Sequence, residues 1–169
     1  MHEYVTRQQW GAAPPTAITR IDPASQLGIV AHHSAGPDTQ TPLQIQAFHQ
    51  NVRSWRDVAY SFLIDIHGTV YEGRGHDVQQ AAHNPVNRTY LSVCFIANLE
   101  IQPLPQEAKD SFRILRRSLM ALGVGEEVRI HSEFSATACP GKAARQALSE
   151  LKSEPDLWAG SSMFNLLDL

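Results

Sequence analysis

The sequence predicts an α/β fold: a single domain with a central, mixed but mostly parallel β-sheet flanked by helices. Three observations predict it. Short apolar runs of strand character alternate with longer stretches of helical periodicity. One closely spaced pair of runs reads as a hairpin that interrupts the alternation. The 169 residues, 43% hydrophobic and 18% charged, suffice for one compact core.

Leu27 to His32 is an apolar run read as a buried strand. Leu27, Ile29 and Ala31 would share one face, with Gly28, Val30 and His32 on the other. Thr41-Pro42 then looks like an N-cap with proline at the first helical position. Leu43, Ala47, Phe48 and Val52 follow at helical spacing, and Trp55 ends the pattern. Tyr60 to Ile66 and Thr69 to Glu72 flank His67-Gly68, which predicts a hairpin with a two-residue connection. Leu91 to Ala97 reads as a central strand. Pro105 to Leu122 is a long helix with Phe112, Leu115, Leu119 and Leu122 on one face, stopped by Gly123. Val128 to His131 is the last short strand, and Gly141 to Lys152 the last helix, opening at Pro140. The domain is placed at 1–152. The tail 153–169, with Pro155, Trp158 and Phe164, packs on the domain or begins a linker.

Composition excludes several classes. The formal net charge is -3 and no basic block runs along the chain, so a nucleic-acid partner is not supported. No apolar run reaches the ~18 residues of a membrane span. The opening residues lack the apolar centre of a signal peptide. The expectation is a protein that stays in the cytosol, is released from it by another route, or is a trimmed domain of a longer chain. The two cysteines, Cys94 and Cys139, require no disulfide framework.

The tract His131 to Gly141 carries the chemistry. A histidine ends a strand, and a thiol stands just before a helix start. Both bind zinc well, and His32, ending another strand, is a third candidate. Three such ligands leave one tetrahedral position open, as in a catalytic metal site. His33 points to the opposite side of the sheet. A helix N-terminus would lower the Cys139 pKa and favour the thiolate. Singly, each signal has a plainer reading: a strand histidine as a satisfied polar group, a pre-helix cysteine as a buried one. Cys94 fits the buried reading, and His2, His49, His67 and His76 read as surface residues.

The set is more specific than its parts. Ile29-Val30-Ala31-His32-His33-Ser34-Ala35-Gly36 resembles the first-ligand strand of the zinc amidases that include peptidoglycan recognition proteins and short phage amidases. Val58 to Asp65 followed by Gly68 to Gly75 is similar to that family's hairpin. Ala81-Ala82-His83-Asn84 is similar to its pocket-lining turn, and Thr6 to Ala12 to its opening. The resemblance spans roughly residues 5 to 150. It implies a recognition-protein-like fold, one catalytic zinc, and hydrolysis of the amide between the lactyl group of N-acetylmuramic acid and the first L-alanine of the stem peptide. The partner it implies is bacterial peptidoglycan. By position, His32, His131 and Cys139 carry over as zinc ligands and Tyr60 as a hydroxyl that assists the reaction. Thr137 falls where some phage members have lysine and many active recognition proteins have threonine. His83, Arg74 and Asn84 carry over as muramyl-peptide contacts. Glu133 and Glu72 are candidate bases. A non-catalytic peptidoglycan-binding module on the same fold, a structural zinc site closed by His33 or His83, and a cysteine hydrolase using Cys139 remain alternatives.

Overall fold

The computed structural model describes residues 4–153; the tail predicted from 153 onward, and His2, fall almost wholly outside them. Strands β1 (Gly28–His33), β2 (Phe62–Ile64), β3 (Val70–Glu72), β4 (Leu91–Phe95) and β5 (Glu127–Ile130) form one sheet ordered β3-β2-β4-β1-β5. β1 lies parallel to both β4 and β5, β2 lies parallel to β4, and only β2 and β3 pair antiparallel. The mixed, mostly parallel sheet is as expected.

Every residue of β1 and β4 is buried, because central parallel strands are covered on both faces. On one face Ile29, Ala31, Val93 and Phe95 pack against α2 (Gln106–Met120) and α3 (Lys142–Ser153) through Phe112, Leu115, Leu119, Ala144 and Leu148. On the other, Leu63, Cys94 and Ile96 form a smaller core with Ile45 and Val58. His32 alternates with Ala31 and so belongs to this second face. Helix α2 buries Ala108, Phe112, Leu115 and Leu119. Leu122, placed on that stripe by its spacing, is exposed because the helix has already ended at Met120.

The first helix departs most from expectation. α1 spans only Pro42–Ala47, with Thr41 and Gln44 forming a capping box. The chain then widens into a π-type turn over Phe48–Val52, closed by Arg53 N–H donating to Phe48 C=O at 3.2 Å. The apolar residues expected inside, Leu43, Phe48 and Val52, are exposed. Ile45, Gln46 and His49 are buried instead. The polar pair is inside because its partners arrive from elsewhere. Gln46 exchanges bonds of 2.8 and 2.9 Å with the Ala13 backbone and donates to Asp57 Oδ1 at 2.7 Å. Asp57 in turn pairs with Arg7 at 3.0 Å.

The hairpin loop is also longer than two residues. Asp65 Oδ1 accepts from both His67 N–H and Thr69 N–H at 2.9 Å, an Asx-type turn that allows Gly68 its positive φ of 82°. Among the described residues no helix is long and apolar enough to cross a membrane.

Candidate active site

Because β1 and β5 are parallel neighbours, their C-terminal ends open at the same sheet edge, the usual place for sites in such sheets. His32 lies at the end of β1, and His131 opens the short 3-10 turn that follows β5. Cys139 reaches the same point on the loop before α3, which Ser132 N–H fastens by donating to Cys139 C=O at 3.2 Å. One nitrogen each of His32 and His131 and the sulfur of Cys139 all lie within 4.8 Å of one another. The three residues singled out in the sequence are brought together.

Cys139 Sγ sits 3.6 Å from His32 Nδ1. On the other side of the ring, His32 Nε2 lies 3.1 Å from His83 Nδ1. A proton on Nε2, donated to His83, leaves the Nδ1 lone pair facing the thiol; ligating histidines are commonly oriented by such a second bond. Burial, then the neighbouring His83, His131 and His33, hold His32 well below the usual imidazole range. Burial also lowers His131, and burial followed by His131 brings His83 to about 4. All three rings are therefore neutral near neutral pH, with lone pairs available.

The expectation of a thiol acidified by a helix end is corrected. α3 begins only at Lys142, and burial pushes the Cys139 thiol up to about 11. The His33 backbone N–H, donating to Sγ at 3.5 Å, and Arg145 oppose that rise but do not overcome it. Desolvation outweighs both because the sulfur is largely enclosed. The His33 ring faces away from the cluster, as its alternation required, and Nδ1 accepts from Leu99 N–H at 3.2 Å.

The Tyr60 ring lies 5.4 Å from that of His32. Burial raises its pKa well above the ordinary value, reinforced by Cys94 and Cys139. The phenol thus keeps its proton, and its hydroxyl is hydrogen-bonded to the buried Cys94 thiol. Thr137 Oγ1 accepts from Cys139 N–H at 3.2 Å, which leaves its own proton to donate. His83 is buried, stacked 5.6 Å from Phe134, and joined to His32. Asn84 is exposed beside it. Arg74 does not join the cluster: Nε donates to Val58 C=O at 2.6 Å and a terminal nitrogen to Gln79 C=O at 2.8 Å. Neither candidate base is free. Glu133 pairs with Arg129 and accepts from Ile130 N–H, and Glu72 accepts from Arg7 N–H at 3.1 Å. Two neighbours of the site lie outside the set the sequence picks out: Phe134, stacked on His83, and His49, which is buried and not on the surface as its context suggests. Phe134 could have been suspected from its place between two candidate ligands; His49 had no such signal.

A family profile for N-acetylmuramoyl-L-alanine amidase matches residues 23–142. The chain belongs to that family. This amidase-family chain is 32% identical over 149 residues to peptidoglycan-recognition protein SD of Drosophila simulans, covering 82% of the chain and 80% of the relative. Its fold matches peptidoglycan recognition protein LE, solved in complex with tracheal cytotoxin, a monomeric diaminopimelic acid-type peptidoglycan. The TM-score is 0.80 at 24% identity, over 90% of this chain and 94% of that one. It also matches the endolysin N-acetylmuramoyl-L-alanine amidase LysCS of Clostridium intestinale, with a TM-score of 0.78 at 22% identity over 91% and 98% of the two chains.

Proposed function

We propose that this amidase-family chain is a zinc-dependent N-acetylmuramoyl-L-alanine amidase, with its catalytic unit in residues 1–152. It hydrolyses the amide joining the lactyl group of N-acetylmuramic acid to L-alanine of the peptidoglycan stem peptide, as a phage lysin or the catalytic domain of a bacterial autolysin. The observation that carries the reading is the convergence of His32, His131 and Cys139 within 4.8 Å beside the protonated Tyr60 phenol.

The donor set fits zinc. Two neutral imidazoles and one sulfur are its preferred soft and borderline ligands, and three protein ligands are the catalytic number. Among the described residues no fourth His, Cys, Asp or Glu joins the three; His83 is bonded to the outer nitrogen of His32. Bound there, zinc would supply a Lewis acid that polarises the amide carbonyl and makes water acidic enough to ionise near neutral pH. The chain's own groups do the rest. The Tyr60 hydroxyl, protonated and desolvated, donates to the oxygen on which charge develops, and Thr137 offers a second donor. A lost donor of this kind commonly costs about 3 kcal/mol of transition-state stabilisation. His83 keeps the His32 ring in one tautomer. Bacterial peptidoglycan, with its muramyl-peptides, is the substrate and partner.

The test is metal analysis of the purified protein followed by mass spectrometry of products from purified peptidoglycan. One zinc per chain and stem peptides with a newly freed alanine amine are expected. Cys139→Ser should lose both. Wall fragments bound tightly but left uncut would instead make the chain a binding module.

A further inference from the structure

His49 is a buried histidine that the proposed reaction does not use. It stands on the π-type turn Phe48–Val52, a backbone irregularity that recurs at functional sites. Its Nδ1 accepts from Ala59 N–H at 3.1 Å. Ala59 directly precedes Tyr60, and the edge of the His49 ring meets the Tyr60 ring at 5.7 Å, 61° apart. Trp55 holds the outer face of His49 at 4.8 Å, and Trp55 N–H donates back to His49 C=O at 2.9 Å. The histidine is thus fixed on one side and bears on Tyr60 through both backbone and ring.

The surrounding segment is pinned at almost every polar group. Val58 C=O takes Arg74 Nε, Ala59 C=O takes Ala81 N–H at 2.8 Å, and Tyr60 C=O takes Arg74 N–H at 2.9 Å. All of these reach the segment from the side of the hairpin and the turn after it. From the helix side Ile45 shares a small core with Val58, and His49 both bonds the Ala59 N–H and touches the phenol ring. Burial, then Arg74 and Arg53, lower its pKa to about 4, so near neutral pH Nδ1 is an acceptor.

We infer that His49 is a positioning residue: it fixes the Ala59–Tyr60 backbone and the Tyr60 ring, and so holds the phenol ring beside His32 at the ligand cluster. This rests on the proposed amidase reading for its kinetic consequence only. A donor displaced by about an ångström from a developing charge loses ten- to a hundredfold in rate.

The experiment uses the zinc-loaded full chain with 13C-labelled tyrosine, and muramyl-peptide as substrate. His49→Phe keeps a ring and removes the acceptor, whereas His49→Asn keeps an acceptor near the Nδ1 position. His49→Phe should lower kcat at least tenfold with KM and zinc content unchanged. The Tyr60 resonance, assigned through Tyr60→Phe, should shift while Tyr4, Tyr71 and Tyr90 stay. His49→Asn should recover most of both. In the Tyr60→Phe background, His49→Phe should cost little more. Equal losses in both backgrounds, or an unmoved Tyr60 resonance, overturn the inference. If the wild-type chain cuts no muramyl-peptide, the amidase reading fails on its own, and the Tyr60 resonance still decides the role of His49.

Discussion

Acid should destabilise the zinc-free protein in part through His49, and the size of the effect follows from its surroundings. The ring is buried and its Nδ1 accepts from Ala59 N–H, so the fold favours the neutral form. Its pKa falls from the unfolded value of 6.5 to about 4. A depressed folded pKa on a base means that the unfolded chain takes up the proton first. The stabilisation is therefore complete above the unfolded value and is lost as pH falls through 6.5 towards 4. From about pH 7 to about pH 5, linkage gives a loss of about 2 kcal/mol from this group alone. His32, His83 and His131 add losses of the same sign, so the assay compares two proteins. Urea unfolding of the wild type and of His49→Asn, in chelator, is followed at both pH values. Asparagine can accept from Ala59 but does not titrate in this range. The wild type should lose about 2 kcal/mol more than the variant between the two conditions. Equal losses would refute the assignment of a buried, neutral, acceptor imidazole at position 49.

Zinc uptake should be steeply pH-dependent. With the Cys139 thiol at about 11, metal must displace its proton, so apparent affinity should rise about tenfold per pH unit between roughly 7 and 9; competition with a chromophoric chelator measures this, and a flat profile would remove Cys139 from the ligand set. Gly141→Ala should destabilise by about 2 kcal/mol or more, read by urea unfolding, because Gly141 has φ 91° and an added Cβ would lie 2.4 Å from the Leu99 carbonyl carbon. It should also weaken zinc binding, since that contact seats the loop bearing Cys139; an unchanged affinity would separate the loop's seating from the metal site.

Much of this protein could be read from its residues in order. The apolar runs at 28–33 and 91–95 lie in the centre of the sheet, and Phe112, Leu115 and Leu119 cover it, because burial repeats with the period of the element that carries it. His32 and His131 are visible as chemistry at strand ends, β1–β5 pairing brings them to one edge, and the loop before α3 carries Cys139 to the same point. What the order of residues did not reveal depends on distant partners. Gln46 and His49 are inside α1 and its π-turn, and Leu43, Phe48 and Val52 outside, because Ala13, Asp57 and Ala59 supply the bonds that make polar burial tolerable. Arg74 faces carbonyls at Val58 and Gln79 rather than the cluster for the same kind of reason. The Cys139 thiol is raised, not lowered, because α3 begins only at Lys142 and enclosure by the folded chain outweighs the His33 N–H and Arg145. Periodicity and residue chemistry are local and survive in a string of letters; desolvation and hydrogen-bond satisfaction are properties of the assembled interior, and only the folded chain decides them.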